Sequence, residues 1–253
     1  MVIKMSLSIV VPTYNCTNEI ARLLLSINKY KIYKKPNLEV IVVDGGSTDG
    51  TIELVKTFPF VTLIVENGLT KGQARNLGIK KAKNNVIVNL DSDVEITEGW
   101  YDAVYETTLN NTIVAGYSPH PVRGDIPRVP IYIDGQDITW PFCNIAHNRL
   151  LFKQIGEIKD TEFSEDIDFN YRCVKEGYTI FYNPNMKVYH HHTLDKVSFV
   201  KQSFLYGRCR AVMNRRYPEL KKKHQHGATV TNLIRLGFGA LGFIYETVRK
   251  KGV

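Results

Sequence analysis

The sequence predicts an α/β fold: a mostly parallel β-sheet flanked by helices, followed by a helical C-terminal extension. Three observations carry this. Apolar, β-branched runs alternate with helically periodic stretches through roughly the first 95 of 253 residues. The runs are continuously apolar, as strands covered on both faces are. Three of them end in conspicuous residues, Thr13-Tyr14-Asn15, Asp44 and Asp91/Asp93. Such sheets bind ligands beyond the carboxyl ends of their strands.

Residues 7–11 are a short β-rich run that Pro12 stops, and residues 19–28 carry apolar side chains at helical spacing, with Asn18 as N-cap. Residues 40–43 are a second buried run, closed by DGGSTDGT (44–51). There Gly45, Gly46 and Gly50 permit positive φ, and Ser47, Thr48 and Asp49 offer caps. Residues 51–56 read as a helix and 61–65 as a third strand. A helix over 72–83 places Ala74, Leu77, Gly78 and Ala82 on one face, and 86–90 is a fourth strand. The pattern then loosens: a helix over 97–109, a strand at 113–117, a Pro-rich irregular stretch at 119–141 and a short helix at 150–156. A helix over 165–176 ends at Gly177 as C′, and strands follow at 178–182 and 187–190.

Composition narrows the function classes. Hydrophobic content of 43% and charge of 23% are ordinary for a globular chain. No run reaches the roughly 20 apolar residues that span a bilayer, and Pro12 interrupts the only early apolar stretch that could serve as a secretory signal. Cys16, Cys143, Cys173 and Cys209 lie far apart without zinc-type spacing, which reads as reduced thiols in a cytoplasmic protein. The net charge of +8 is uneven: residues 196–253 carry 13 Lys and Arg against Glu219 and Glu246, a net of +11, so the remainder nets −3. A globally basic nucleic-acid binder does not look like this, and no nucleic-acid partner is expected; a basic tail that meets something anionic does.

The run VIVNLDSD (86–93) ends in two carboxylates separated by Ser92. A solvated acidic turn has the same letters, and a second D-x-D occurs at Asp166 and Asp168. Position distinguishes Asp91 and Asp93: after a buried strand they would share one side and could hold a hard divalent cation, Mg²⁺ or Mn²⁺, with open positions for phosphate oxygens. DGGSTDGT is neither a P-loop nor G-x-G-x-x-G, which disfavours a simple NTPase or a nicotinamide cofactor. FSEDID (163–168) puts three acids at a helix start, either as dipole partners or with one as a general base. VYHHH (188–192) offers imidazoles for a metal, with His190 and His192 on one face.

SIVVPTYN, VIVVDGGSTDGT, KGQARNLGIKKA, VIVNLDSD, FSEDIDFNYRCVKEGY and PNMKVYHH occur in an order and spacing that resemble the inverting glycosyltransferases of family 2. The resemblance covers roughly residues 6–192 and departs at Gly45, where the family often has a second acid. It implies a GT-A fold with a Rossmann-like sheet, a nucleotide diphosphate sugar donor and a saccharide, lipid-linked or protein acceptor. By the same resemblance Thr13, Tyr14, Asp44, Arg75, Asp91 and Ser92 would bind the nucleotide. Asp93 and His190 would ligate Mn²⁺ or Mg²⁺, with His191 and His192 as neighbours of the ligand. Asp166 would be the catalytic base, with Glu165 for acceptor contacts. Trp140 is a candidate sugar-stacking face or a core aromatic. The other reading on this fold is a non-catalytic nucleotide-sugar-binding or scaffold protein.

The expected organisation is a catalytic domain over 1–194 and a basic amphipathic extension over 195–253. Residues 233–245 are apolar except Arg235, too short to span and flanked by basic clusters. Phe199, Phe204 and Leu205, with Arg208 and Arg210, read as a similar element. This suits a helix lying in an anionic membrane surface, peripheral at the cytoplasmic face; packing on the domain, or on a second subunit as a homo-oligomer, is the alternative.

Overall fold

The structure is a computed structural model that describes residues 6–122, 130–159, 164–191, 196–222 and 230–249. Its elements in chain order are β1 (Leu7–Thr13), α1 (Thr17–Lys29), β2 (Leu38–Asp44), α2 (Thr51–Lys56), β3 (Val61–Val65), α3 (Lys71–Lys81), β4 (Val86–Leu90), β5 (Val94–Ile96) and α4 (Trp100–Thr108). There follow β6 (Ile113–Tyr117), β7 (Tyr132–Ile133), β8 (Gln136–Asp137), β9 (Asn144–Asn148), α5 (Leu151–Gln154), α6 (Glu165–Lys175), β10 (Ile180–His190), α7 (Lys196–Arg216) and α8 (Val230–Arg249). Eight strands make one mixed sheet in the order β3-β2-β1-β4-β9-β6-β10-β5. β1 pairs in parallel with β2 and β4, β2 with β3, and β6 with β10. β9 runs antiparallel between β4 and β6, and β5 antiparallel on β10.

Strand alternation divides the core into two layers. On one side Leu7, Ile9 and Val11 meet Ile20, Leu23, Leu24 and Ile27 of α1 and Trp100 of α4. On the other, Val10, Ile41 and Ile87 meet Ala74 and Ile79 of α3 and Phe169 of α6. α3 approaches closely because of Gly78, where an added Cβ would lie 2.5 Å from Val10 Cγ1.

Several boundaries differ from the sequence reading for identifiable reasons. β1 runs through Pro12 to Thr13. Pairing with β4 ends at Val10, so Pro12 stands where the ladder continues only on the β2 side and its missing N–H disturbs little. Asn18 lies inside the first turn of α1. The N-cap position is Cys16, and its help comes from a distant loop: Thr17 N donates to Asp49 Oδ2 at 3.2 Å, and Cys16 N to Thr51 Oγ1 at 3.0 Å. α4 begins only after Gly99 at φ +77°, with β5 before it. The two strands read at 178–182 and 187–190 are one, β10, with a register shift between Asn183 and Lys187, around Pro184. β9 was not expected, because Asn144, His147 and Asn148 break the apolar signal. Asn144 and His147 are nonetheless buried. Asn144 accepts from Trp100 Nε1 at 3.0 Å and donates to the Met186 carbonyl at 2.7 Å, while burial pushes the His147 imidazole down to about 3.

The C-terminal helices cross at glycine. A Cβ at Gly207 would run into the Gly239 carbonyl, and one at Gly242 into that of Phe204. Glu246, buried, ties the pair through Arg208 at 3.0 Å and Arg215 at 3.2 Å. The opposite face of α8 presents Leu241, Ile244 and Val248, each more than half exposed, with Tyr245 at its edge beside Phe204 of α7. Phe199, Leu233 and Lys223 have side chains outside the described set, as does Lys250. Among the described residues no helix is long and apolar enough to cross a membrane.

Candidate active site

The carboxyl ends of β1, β2 and β4 open on one edge of the sheet, and the loops there carry most of the residues singled out from the sequence. Asp44, fully buried at the end of β2, organises its own loop. Its carboxylate accepts from Thr13 Oγ1 at 3.0 Å, Gly46 N at 2.9 Å, and Ser47 N and Oγ, both at 2.7 Å. Gly46, at φ +97°, supplies the turn that brings these donors round. Tyr14 beside it is 63% exposed, a large ring facing solvent at the mouth of the site. Ser92 approaches the Cys16 thiol, so the D-S-D turn abuts the start of α1.

Arg75 is the hub. It is 1% exposed, donates from Nη2 to Asp91 Oδ1 at 2.5 Å and from Nη1 to Glu165 Oε1 at 2.7 Å, and lies over the Phe142 ring. Lys71, one turn earlier on the same face of α3, reaches Asp91 Oδ2 at 2.8 Å. The start of α3 is held by a capping box between Thr70 and Gln73. Desolvation acts against the Asp91 charge, but Lys71 and Arg75 outweigh it and hold the carboxyl well below the usual range.

Asp93, two residues on, approaches His190 Nε2 with Oδ2 at 3.1 Å. β10 ends there: His191 N donates to the Asp93 carbonyl at 2.9 Å, while the His191 ring turns to Glu95 at 2.9 Å. His192 lies outside the described residues. Asp91, Asp93 and His190 each offer a ligand atom within 4.8 Å of the others. Asp93 Oδ1 is buried and makes no hydrogen bond within the described structure, an orphaned acceptor that suits a cation. Two carboxylates and one imidazole fit Mn²⁺ or another borderline divalent ion, and Mg²⁺ less well. The Cys143 thiol touches His190, a neighbour that no sequence spacing announced.

Across Arg75, α6 presents Glu165 and Asp166 in its first turn. Burial, then the neighbouring Glu165 charge, pushes the Asp166 carboxyl up to about 7 against the Ile167 N–H, Arg75 and Lys71. Asp168, the third acid, is fully buried and points elsewhere, to Arg172 at 2.9 Å and Tyr217 at 2.9 Å. Trp140 stacks on Tyr182 at 4.7 Å, and its carbonyl accepts from Asn170, one turn beyond Asp166, at 2.8 Å. One shared cluster therefore holds Lys71, Arg75, Asp91, Glu165 and Asp166, with Asp93 and His190 beside it, while the Trp140 ring packs on Tyr182. An open groove of about 490 Å³ between Tyr33, Phe58 and Phe60 lies toward the amino ends of the strands, away from this cluster.

A mixed α/β sheet with a D-x-D turn at its ligand edge and an acid pair on a facing helix defines the GT-A class of sugar-transferring enzymes. The profile described as Glycosyl transferase family 2 matches residues 8–157, and the chain belongs to this family: it is a glycosyltransferase. It is 24% identical over 240 residues to the dolichyl N-acetyl-α-D-glucosaminyl phosphate 3-β-D-2,3-diacetamido-2,3-dideoxy-β-D-glucuronosyltransferase of Methanococcus voltae, covering 83% of this chain and 74% of that one. It is 26% identical over 187 residues to the UDP-Glc:α-D-GlcNAc-diphosphoundecaprenol β-1,3-glucosyltransferase WfaP of Escherichia coli, covering 70% and 68%. Some relatives are far longer, and the match covers 16% of the Staphylococcus aureus TarS chain. Among solved structures, the mannosyltransferase PcManGT from Pyrobaculum calidifontis, in complex with GDP-Man and Mn²⁺, superposes with a TM-score of 0.67 at 17% identity, over 98% of this chain and 76% of that one.

Proposed function

We propose that this glycosyltransferase moves a sugar from a nucleoside diphosphate sugar to a hydroxyl of a lipid-linked saccharide, with inversion at the anomeric carbon. The observation that carries the reading is Arg75 joining Asp91 on the D-x-D side to Glu165 beside Asp166. One guanidinium thereby ties the donor-side acids to the acceptor-side acids. Tyr14, Ser92, Asp91 and the loop that Thr13 and Asp44 organise hold the nucleotide, with Arg75 alongside. Asp93 and His190 would hold the divalent cation, which when bound offsets charge developing on the departing diphosphate. Asp166 takes the proton of the attacking hydroxyl onto an Oδ atom, and Glu165 and Trp140 orient the acceptor. A single displacement of this kind inverts configuration. A carboxyl near 7 is matched to such proton transfer at neutral pH, and an ordinary aspartate is a weaker base.

Two relatives are named for acceptors carried on dolichyl phosphate and on diphosphoundecaprenol, which favours a lipid-linked acceptor. The half-exposed apolar face of α8 within a segment of net charge +11 suits an anionic membrane surface, where such an acceptor resides.

The test is turnover of the full-length chain with UDP- and GDP-sugars and Mn²⁺, against the Asp166→Asn variant. Turnover is expected to fall about 10²- to 10⁴-fold while calorimetric donor affinity is unchanged. A parallel loss of donor affinity, or surviving turnover, rejects the base assignment.

A further inference from the structure

We infer that the C-terminal helices are part of the catalytic apparatus: α7 clamps α6 on both sides of Glu165–Asp166, with Asp168, Arg216, Tyr217 and Cys209 as positioning residues. The clamp has two jaws. At one, Asp168 is fully buried and accepts from Arg216 Nη1 at 2.5 Å and Tyr217 OH at 2.9 Å, both at the end of α7, while Arg172 of its own helix donates to the other oxygen at 2.9 Å. Next to it the Tyr171 and Tyr217 rings lie 3.9 Å apart and Tyr171 OH bonds Glu219. At the other jaw, the Cys209 thiol of α7 lies beside Ser164, the N-cap residue of α6, which is held at φ 65°. Ser164 and Asp168 are four residues apart, one helical turn, and the acid pair lies between them.

Asp168 does not face the cleft. At 100° per residue it sits about 200° around α6 from Asp166, so the helix presents its base to the site and its anchor to α7. A D-x-D whose second acid serves only to neutralise a helix N-terminus needs no partner from another element, yet this one draws two from 48 and 49 residues downstream. Cys209 also lies near Glu165 and Asp166, which sets α7 beside the base. The groups around Asp166 are Glu165 and the Ile167 N–H on α6, Lys71 and Arg75 on α3, and Cys209 on α7. Loosening α7 from α6 admits water and weakens the base, while the nucleotide side, built on β1, β2, β4 and α3, is untouched.

The inference rests on Asp166 being the base. Removing the Asp168 carboxylate strands Arg172 and Arg216 and endangers the fold, so the informative full-length variants are Tyr217→Phe and Arg216→Lys. Both are expected to lower kcat about 10- to 100-fold with donor affinity within twofold of wild type. The acid limb of kcat/KM against pH should move below its wild-type midpoint, and iodoacetamide should alkylate Cys209, read by peptide mass spectrometry, several-fold faster. A wild-type pH profile together with wild-type Cys209 alkylation overturns the clamp, even where thermal stability drops. Surviving turnover in Asp166→Asn instead removes the base on which the inference rests, and is seen independently of these variants.

Discussion

Asp166 and Glu165 are chain neighbours at the start of α6, and Asp166 is driven toward neutral pH. Glu165 is satisfied by Arg75 at 2.7 Å, whereas Asp166 has burial and the Glu165 charge working against its ionisation. The sign of the consequence is fixed: a base must be ionised, so kcat/KM should rise with pH through a midpoint near 7 and then level. Glu165→Gln removes a like charge and should move that midpoint to lower pH, whatever it does to KM; a midpoint that stays or rises rejects the electrostatic account. At this scale the sequence was informative about which residues of strand ends and helix starts the fold gathers, as with Asp91, Asp93 and the acid pair. It was silent where the partner comes from far along the chain. Nothing near Asp168 announces Arg216, nothing near His190 announces Cys143, and Lys71 shows itself only as the residue four before Arg75.

Among the elements, α2, β3, β4 and β6 were readable to the residue, because a continuous apolar run or a short amphipathic turn decides them without help. β9 was not: its central polar residues are tolerated because Trp100, Met186 and a ring of phenylalanines surround them. The start of α1 was misread for the same reason, since its capping acid, Asp49, lies 32 residues downstream of Thr17. Contact between α3 and the sheet is a sharper case. Gly78 permits it, and Ala there would bring Cβ to 2.5 Å from Val10 Cγ1 and 3.2 Å from Val43 Cγ2, both on central strands with no room to retreat. Overpacking of this kind costs about 1–3 kcal/mol, set against up to about 1 kcal/mol gained in helix propensity. Gly78→Ala should therefore lower the urea midpoint without changing the slope; an equal or higher midpoint means that α3 can back away.

On the scale of the whole molecule, the sheet edge that gathers the acids and the helix pair that covers α6 are joined, so where the C-terminal helices sit matters to the chemistry. α8 buries Gly239, Gly242 and Glu246 against α7 and leaves Leu241, Ile244 and Val248 outward, a stripe at helical spacing, with Tyr245 at its edge against Phe204 and Arg208 of α7. Burying Leu241, Ile244 and Val248 from their half-exposed state is worth roughly 3 kcal/mol together, on the order of 100-fold in partition. The +11 charge of residues 196–253 adds an attraction that salt screens over about 8–10 Å. Full-length chain should therefore float with phosphatidylglycerol vesicles at low salt, less so at high salt, and far less with phosphatidylcholine alone. Changing Leu241, Ile244 and Val248 together to Ser should abolish flotation while leaving turnover on a soluble acceptor analogue intact, because none of the three touches α6 or the site. Flotation of that triple variant equal to wild type would remove the lipid surface as the occupant of this face, and a concentration-dependent dimer that the same changes dissolve would put a second copy of the chain in its place.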